Sequence, residues 1–128
     1  MEVAVTPPSK VYFVSGHLDL SVDEFLTNYV PRLEEALKEG AMFVVGDARG
    51  ADVIAQRWLK QHSAQVTVYH MFDQPRHNAG FQTVGGFVTD EGRDSYMTVI
   101  SADDIAWVRP GRENSGTANN LARRKRAT

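Results

Sequence analysis

Residues 41–59 read AMFVVGDARGADVIAQRWL. The first five form an apolar run of strand length, GDARGAD makes a turn, and Ala51, Ile54, Ala55, Trp58 and Leu59 then recur at helical spacing on one face. A strand that passes through a glycine turn straight into an amphipathic helix is the repeating unit of a parallel sheet. The same unit precedes it. KVYFVS, residues 10–15, is rich in β-branched and aromatic residues and ends at Gly16. Ser21, with Glu24 three residues on, predicts a capping box. Leu26, Tyr29, Val30, Leu33 and Leu37 mark the apolar face of the helix that follows, and Gly40 stops it. Pro31 lies inside that pattern and either kinks the helix or divides it.

Downstream the pattern predicts a strand over 66–71, a helix over 93–101 with Tyr96, Met97 and Ile100 on one side, a strand over 104–108 and a last helix over 116–124. The alternation gives an α/β fold: a Rossmann-like three-layer sandwich with a mostly parallel sheet of four or five strands, helices on both faces and right-handed crossovers. Residues 72–90 are too many for a plain connection. Within them FQTV and FVT flank Gly85 and Gly86 at the spacing of a tight hairpin, so a hairpin or flap competes with a loop that touches no ligand.

The 128 residues, 42% hydrophobic and 23% charged, suit one domain over 1–128 with a single core, a flexible start at 1–9 and a basic tail at 123–128. The absence of cysteine excludes disulfides and thiolate metal sites. No run of about 18 apolar residues is present, and MEVAVTPPSK has no secretory pattern, so the expected location is the cytoplasm, without membrane contact. A net charge of −2 draws neither nucleic acid nor membrane. Arg123, Arg124, Lys125 and Arg126 read first as a frayed, solvated helix end and second as a nucleic-acid arm.

In an open parallel sheet, ligands bind beyond the carboxyl ends of the strands. Three strands end there in glycine turns: Ser15, Gly16 and His17; Gly46 to Asp52; and Pro110 to Thr117. Each turn alone is explained by chain reversal or helix capping. Together they suggest backbone N–H groups converging on an anion, helped by the Ser115 and Thr117 hydroxyls and by Arg49, which otherwise stands in solvent. GDARG lacks the Gly-Lys-Ser/Thr ending of a P-loop, and no GxGxxG is present. His17, His62, His70 and His77 are scattered, no HExxH occurs, and neither a metal nor a cofactor is expected. His17, at the predicted edge, is placed to contact a base or sugar. Asp19, Asp47 and Asp52 are the carboxylates at that edge, and Asp47 and Asp52 are the catalytic candidates, although two of the three are expected to cap helices.

GDARGADVIAQRWL, GRDSYM and RPGRENSGTANNLARR, in that order, resemble motifs of the SLOG superfamily (Smf/DprA and LOG proteins), most closely its small YpsA-like single-domain members. The likeness spans residues 11–124 and implies a Rossmann-like domain that binds a nucleotide or nucleotide-derived ligand. It implies ligand contact from Gly16 and His17; from Gly46, Asp47, Ala48, Arg49, Gly50 and Asp52; from Arg93; and from residues 111–117, including Gly111, Ser115, Gly116 and Thr117. Met97 occupies a place like a LOG methionine, but its spacing is that of a buried face. LOG phosphoribohydrolases carry PGGxGTxxE with a catalytic glutamate. Here the segment is PGRENSGTANN, with Asn120 in that place, Arg112 for the second glycine and two residues inserted before Ser115. Asparagine is no general base at neutral pH.

The leading expectation is therefore a sensor or sequestering domain for a nucleotide-like small molecule. The alternatives are an enzyme acting on an N-glycosidic bond through Asp47 or Asp52, and a nucleic-acid interaction module using the basic tail. A homo-oligomer is expected by fold analogy alone.

Overall fold

The computed structural model describes residues 9–127. The chain runs β1 (Val11–Val14), α1 (Val22–Asn28), α2 (Val30–Lys38), β2 (Met42–Gly46), α3 (Ala51–Gln61), β3 (Gln65–Met71), β4 (Gln82–Phe87), α4 (Asp90–Ile100), β5 (Asp103–Ile105) and α5 (Gly116–Ala127). The expected flexible start at 1–9 falls, apart from Ser9, outside the described residues, as does Thr128 of the tail. Among the described residues no helix is long and apolar enough to cross a membrane.

The five strands form one sheet in the order β4-β3-β2-β1-β5, and every neighbouring pair is parallel. Side chains alternate between the faces. Tyr12, Val14, Phe43, Val45, Val66 and Val68 meet Phe25, Tyr29, Leu33, Ala55 and Leu59 of α1 to α3 on one side. Phe13, Val44 and Tyr69 meet Met97 of α4 on the other. Burial on both faces explains why these strands read as unbroken apolar runs.

Strands β1 to β4 step outward to one edge, and α4 carries the chain back to lay β5 on the far side of β1. The connections after β1 and β5 therefore diverge, and the crevice between them is the topological switch point where open sheets of this kind take ligands.

The alternative left open at Pro31 is decided, and three local expectations are corrected. The helix after β1 is two helices: α1 ends at Tyr29 and Pro31 stands in the first turn of α2, where its missing N–H has no partner to lose. The inward face is Phe25, Tyr29, Leu33 and Ala36, spaced by four, four and three, and Leu26 is left exposed. Gly85 and Gly86 make no hairpin. They lie inside β4, where Tyr69 pairs with Val84 and Met71 with Phe87, one extra residue on β4. A side chain at Gly85 would overlap the His70 ring, and Gly86 has φ 95°. Strand β5 stops at Ile105, short of the expected 108, because the next donors leave the ladder: the Trp107 N–H donates to the Tyr29 hydroxyl (3.2 Å) and the Arg109 N–H to His17 Nε2 (2.9 Å).

Finally, α5 continues to Ala127 and its end is not frayed. The Arg124 guanidinium donates to the Asp104 carboxylate and to the Thr98 and Ser101 carbonyls at the end of α4, while Arg123 Nη1 donates to Asn120 Oδ1 at 2.6 Å. These two arginines of the expected arm are spent inside the fold.

Candidate functional site at the switch point

A cavity of about 230 Å³ opens at the carboxyl edge of the sheet, between the turn after β1, the start of α3, the first turn of α4 and the start of α5. Of the residues expected at a site, Ser15, Gly16, His17, Ala48, Asp52, Arg93, Ser115, Gly116 and Thr117 line it. Gly46, Asp47, Arg49, Gly50 and Gly111 do not. Phe13, Leu18, Asp90, Asp94, Arg112 and Asn120 complete the wall.

The glycines of the second turn have a packing task. A Cβ on Gly46 would stand 2.6 Å from Asp52 Oδ2 and 2.8 Å from Arg93 Cζ, so the missing side chain is the space those two groups occupy. Gly50, at φ 74°, packs its α-carbon against the His17 and Leu18 carbonyls. Arg49 is exposed, and Gly111, at φ 90°, lies open.

The two candidate carboxylates differ sharply. Asp47 is fully buried and accepts from the Arg76 N–H, Nε and Nη2 and from Arg93 Nη1. Burial alone would raise its pKa, but the two arginines outweigh burial and hold it down to about 2. It is a structural counter-ion. Asp52 lines the cavity and Oδ2 accepts from the Ala48 N–H at 3.0 Å, which caps the turn before α3. Burial pushes its carboxyl up to about 7, against the pull of the Arg93 charge. A carboxyl titrating near neutrality is able to hold or give a proton at this wall.

Arg93 is present as expected but already engaged: Nε and Nη2 donate to Asp94 Oδ1, and Nη1 faces Asp47 and Asp90. Asp94 Oδ2 accepts from Asn120 Nδ2 at 3.0 Å. Asn120, where the LOG-like pattern has its glutamate, thus touches a carboxylate supplied by α4. His17 is buried, and its Nε2 accepts from the Arg109 N–H, which fixes the Nδ1-protonated tautomer. Burial, then the Arg112 and Arg109 charges, lower its pKa, so the ring stays neutral.

Three groups on the wall remain open. The Ser15 hydroxyl is buried without a hydrogen-bond partner among the described residues. The Gly116 and Thr117 N–H groups, at the start of the 12-residue α5, have no partner among the described residues, whereas the next two donate to Ser115 Oγ and Ser115 O. Among the described residues the Arg112 side chain pairs with Asp19 alone, at 3.4–3.5 Å.

Comparison of the chain with protein-family models, curated proteins and solved structures finds no match.

The site therefore rests on its own geometry. Composition and spacing did not single out Asp90, Asp94 or Phe13, whereas Arg112 lies within the third glycine turn. The Asp90 and Asp94 pair had a signal in TDEGRD, where Thr89 caps α4 through the Gly92 N–H and sets the first turn against the cavity. Among the described residues no three His, Asp or Glu side chains gather as a metal site.

Proposed function

We propose that this domain binds a nucleotide or nucleotide-derived small molecule in the switch-point cavity, as a sensor or sequestering domain, and that it is a small single-domain member of the SLOG superfamily. The observation that carries this reading is the buried, unpartnered Ser15 hydroxyl in the same cavity as the open N–H groups of Gly116 and Thr117. Buried polar groups are nearly always bonded, so an orphan on a cavity wall marks a place for a ligand atom or water. A helix start with open N–H groups favours an anion. Calorimetry with a panel of mononucleotides, cyclic nucleotides and ADP-ribose-like compounds tests it. A folded protein that binds none of them at millimolar concentration defeats the reading.

A second reading has support in Asp52. A buried carboxyl with its pKa raised to about 7, facing the cavity, suits a general acid in cleavage of an N-glycosidic bond. Asp47, saturated by two arginines, drops out of that role. Chromatography for released base, with Asp52→Asn retaining binding but losing release, tests this reading.

A further inference from the structure

The two faces of the sheet are covered unequally. Helices α1 to α3 pack on one, whereas on the other α4 lies against β1 to β4 and α5 lies against α4 and β5. Beside α4 a groove of about 530 Å³ is left at the amino ends of the strands, away from the switch-point cavity. Strand register puts Val11, Met42 and Gln65 in one row of its floor and Val44, Thr67 and Gln82 in the next. Ile100, the last residue of α4, stands at its side. Among the described residues no charged side chain lines it.

The helix that borders the groove carries an uncovered apolar ridge. The Tyr96 ring leans toward the sheet, 5.7 Å from that of Tyr69 and 5.5 Å from that of Phe87, yet the residue is 46% exposed. Val99, three residues on and so its neighbour on the helix surface, is 82% exposed. Valine is a weak helix former, and an exposed one gains nothing from packing. Met42 and Val84, on the open strip of sheet, are also exposed. Exposed apolar side chains that gather on one face mark an interaction surface.

Ridge and groove lie side by side on one surface. A twofold axis through that surface lays the ridge of each copy in the groove of the other, which is the self-complementarity that an isologous dimer needs. Tyr96 and Val99 carry no charge and neither does the groove lining, so the contact buries no unpaired ion. With its 11 residues α4 is about 16 Å long. A face of that length and about two helix diameters in width is smaller than the roughly 800 Å² per partner of a standard interface. The dimer it makes is therefore reversible.

We propose that the α4 face is an interface between two copies of this chain, with Tyr96 and Val99 of each copy seated in the groove over β2 and β3 of the other. This is independent of the nucleotide reading and stands or falls without it.

Sedimentation equilibrium on the full chain, from about 5 μM to about 500 μM, brackets a micromolar dissociation constant. The expected result is a mass that rises from monomer to dimer and stops there. Raising the salt from about 0.1 M to 0.5 M should change the constant by less than about threefold, because no charges meet. Val99→Asp, at an exposed position, should keep the parent's circular dichroism and weaken the dimer at least about tenfold, since a charge is then buried without a partner. Met42→Lys should do the same from the groove side. Leu26→Asp, an exposed apolar position on α1, should leave the dimer unchanged. A parent that stays monomeric up to about 500 μM, or that assembles beyond two copies, overturns the inference. So does a folded Val99→Asp that dimerises like the parent, or a dimer lost in Leu26→Asp.

Discussion

Replacing Asp52 by Asn should make the fold more stable, and increasingly so as the pH rises. The unfolded carboxyl ionises around 3.8 and the folded one around 7. Below 3.8 both states hold the proton and the residue has no pH-dependent effect. Between the two values the folded state alone retains it, so stability falls as the pH climbs, at about 1.4 kcal/mol per pH unit. Above 7 the full cost is in place. The climb from 3.8 to about 7 makes that cost about 4 kcal/mol, a large share of the 5–15 kcal/mol that is usual for a whole domain. Asn keeps an oxygen for the Ala48 N–H, the one hydrogen bond of the Asp52 side chain among the described residues, and never ionises. Urea unfolding followed by tryptophan fluorescence, at intervals from pH 5 to pH 8, gives the stability of the variant minus that of the parent. Every other titrating group cancels in that subtraction. The difference should grow by about 3 kcal/mol over this range and level off above pH 7. A difference constant within about 0.5 kcal/mol, the usual error of such comparisons, would refute the account of Asp52 as a carboxyl kept neutral by burial.

Other substitutions test the packing around it. Gly46→Ala should cost roughly 1–3 kcal/mol in chemical denaturation, because its methyl must displace the Asp52 carboxyl and the Arg93 guanidinium together; an unchanged midpoint would contradict the geometry. Asp47→Ala removes one of three carboxylates from the buried Arg93, leaving Asp94 and Asp90, and also frees Arg76, and should cost about 1–3 kcal/mol, read as a lowered thermal midpoint at pH 7. The parent should lose the Asp47 contribution as the pH drops from 3.8 towards 2, the interval between its unfolded and folded pKa, and acid titration followed by circular dichroism shows whether it does. Tyr29→Phe removes bonds to the Ser15 carbonyl and the Trp107 N–H and should cost about 1–3 kcal/mol, again by urea unfolding.

The layered architecture was legible because apolar strands and amphipathic helices alternate with period and length to match, and the stretch around Gly46 showed it within nineteen residues. What sequence periodicity could not resolve was set by long-range partners. Gly85–Gly86 serves a bulge as well as a hairpin, and only the neighbouring His70 ring decides between them. Strand β5 is short because Tyr29 and His17 take its next donors from 78 and 92 residues away. At the candidate site, the glycine turns marked the edge of the sheet where the cavity opens, yet the second turn had its glycines for packing. Asp47 and Asp52 looked alike in sequence, five residues apart. Their separation into counter-ion and neutral acid depends on Arg76, a residue of the β3–β4 connection that carried no motif.

The Tyr29 hydroxyl has a consequence for how a ligand would arrive. Buried at the break between two helices, it donates to the Ser15 carbonyl at 2.7 Å and accepts from the Trp107 N–H, so a single phenol spans the two chain segments that leave the sheet on either side of the crevice. The gap between those segments is set before anything enters it. A pocket preorganised in this way spends little conformational entropy on association, and its on-rate is governed by diffusion and orientation instead of by a slow closing step.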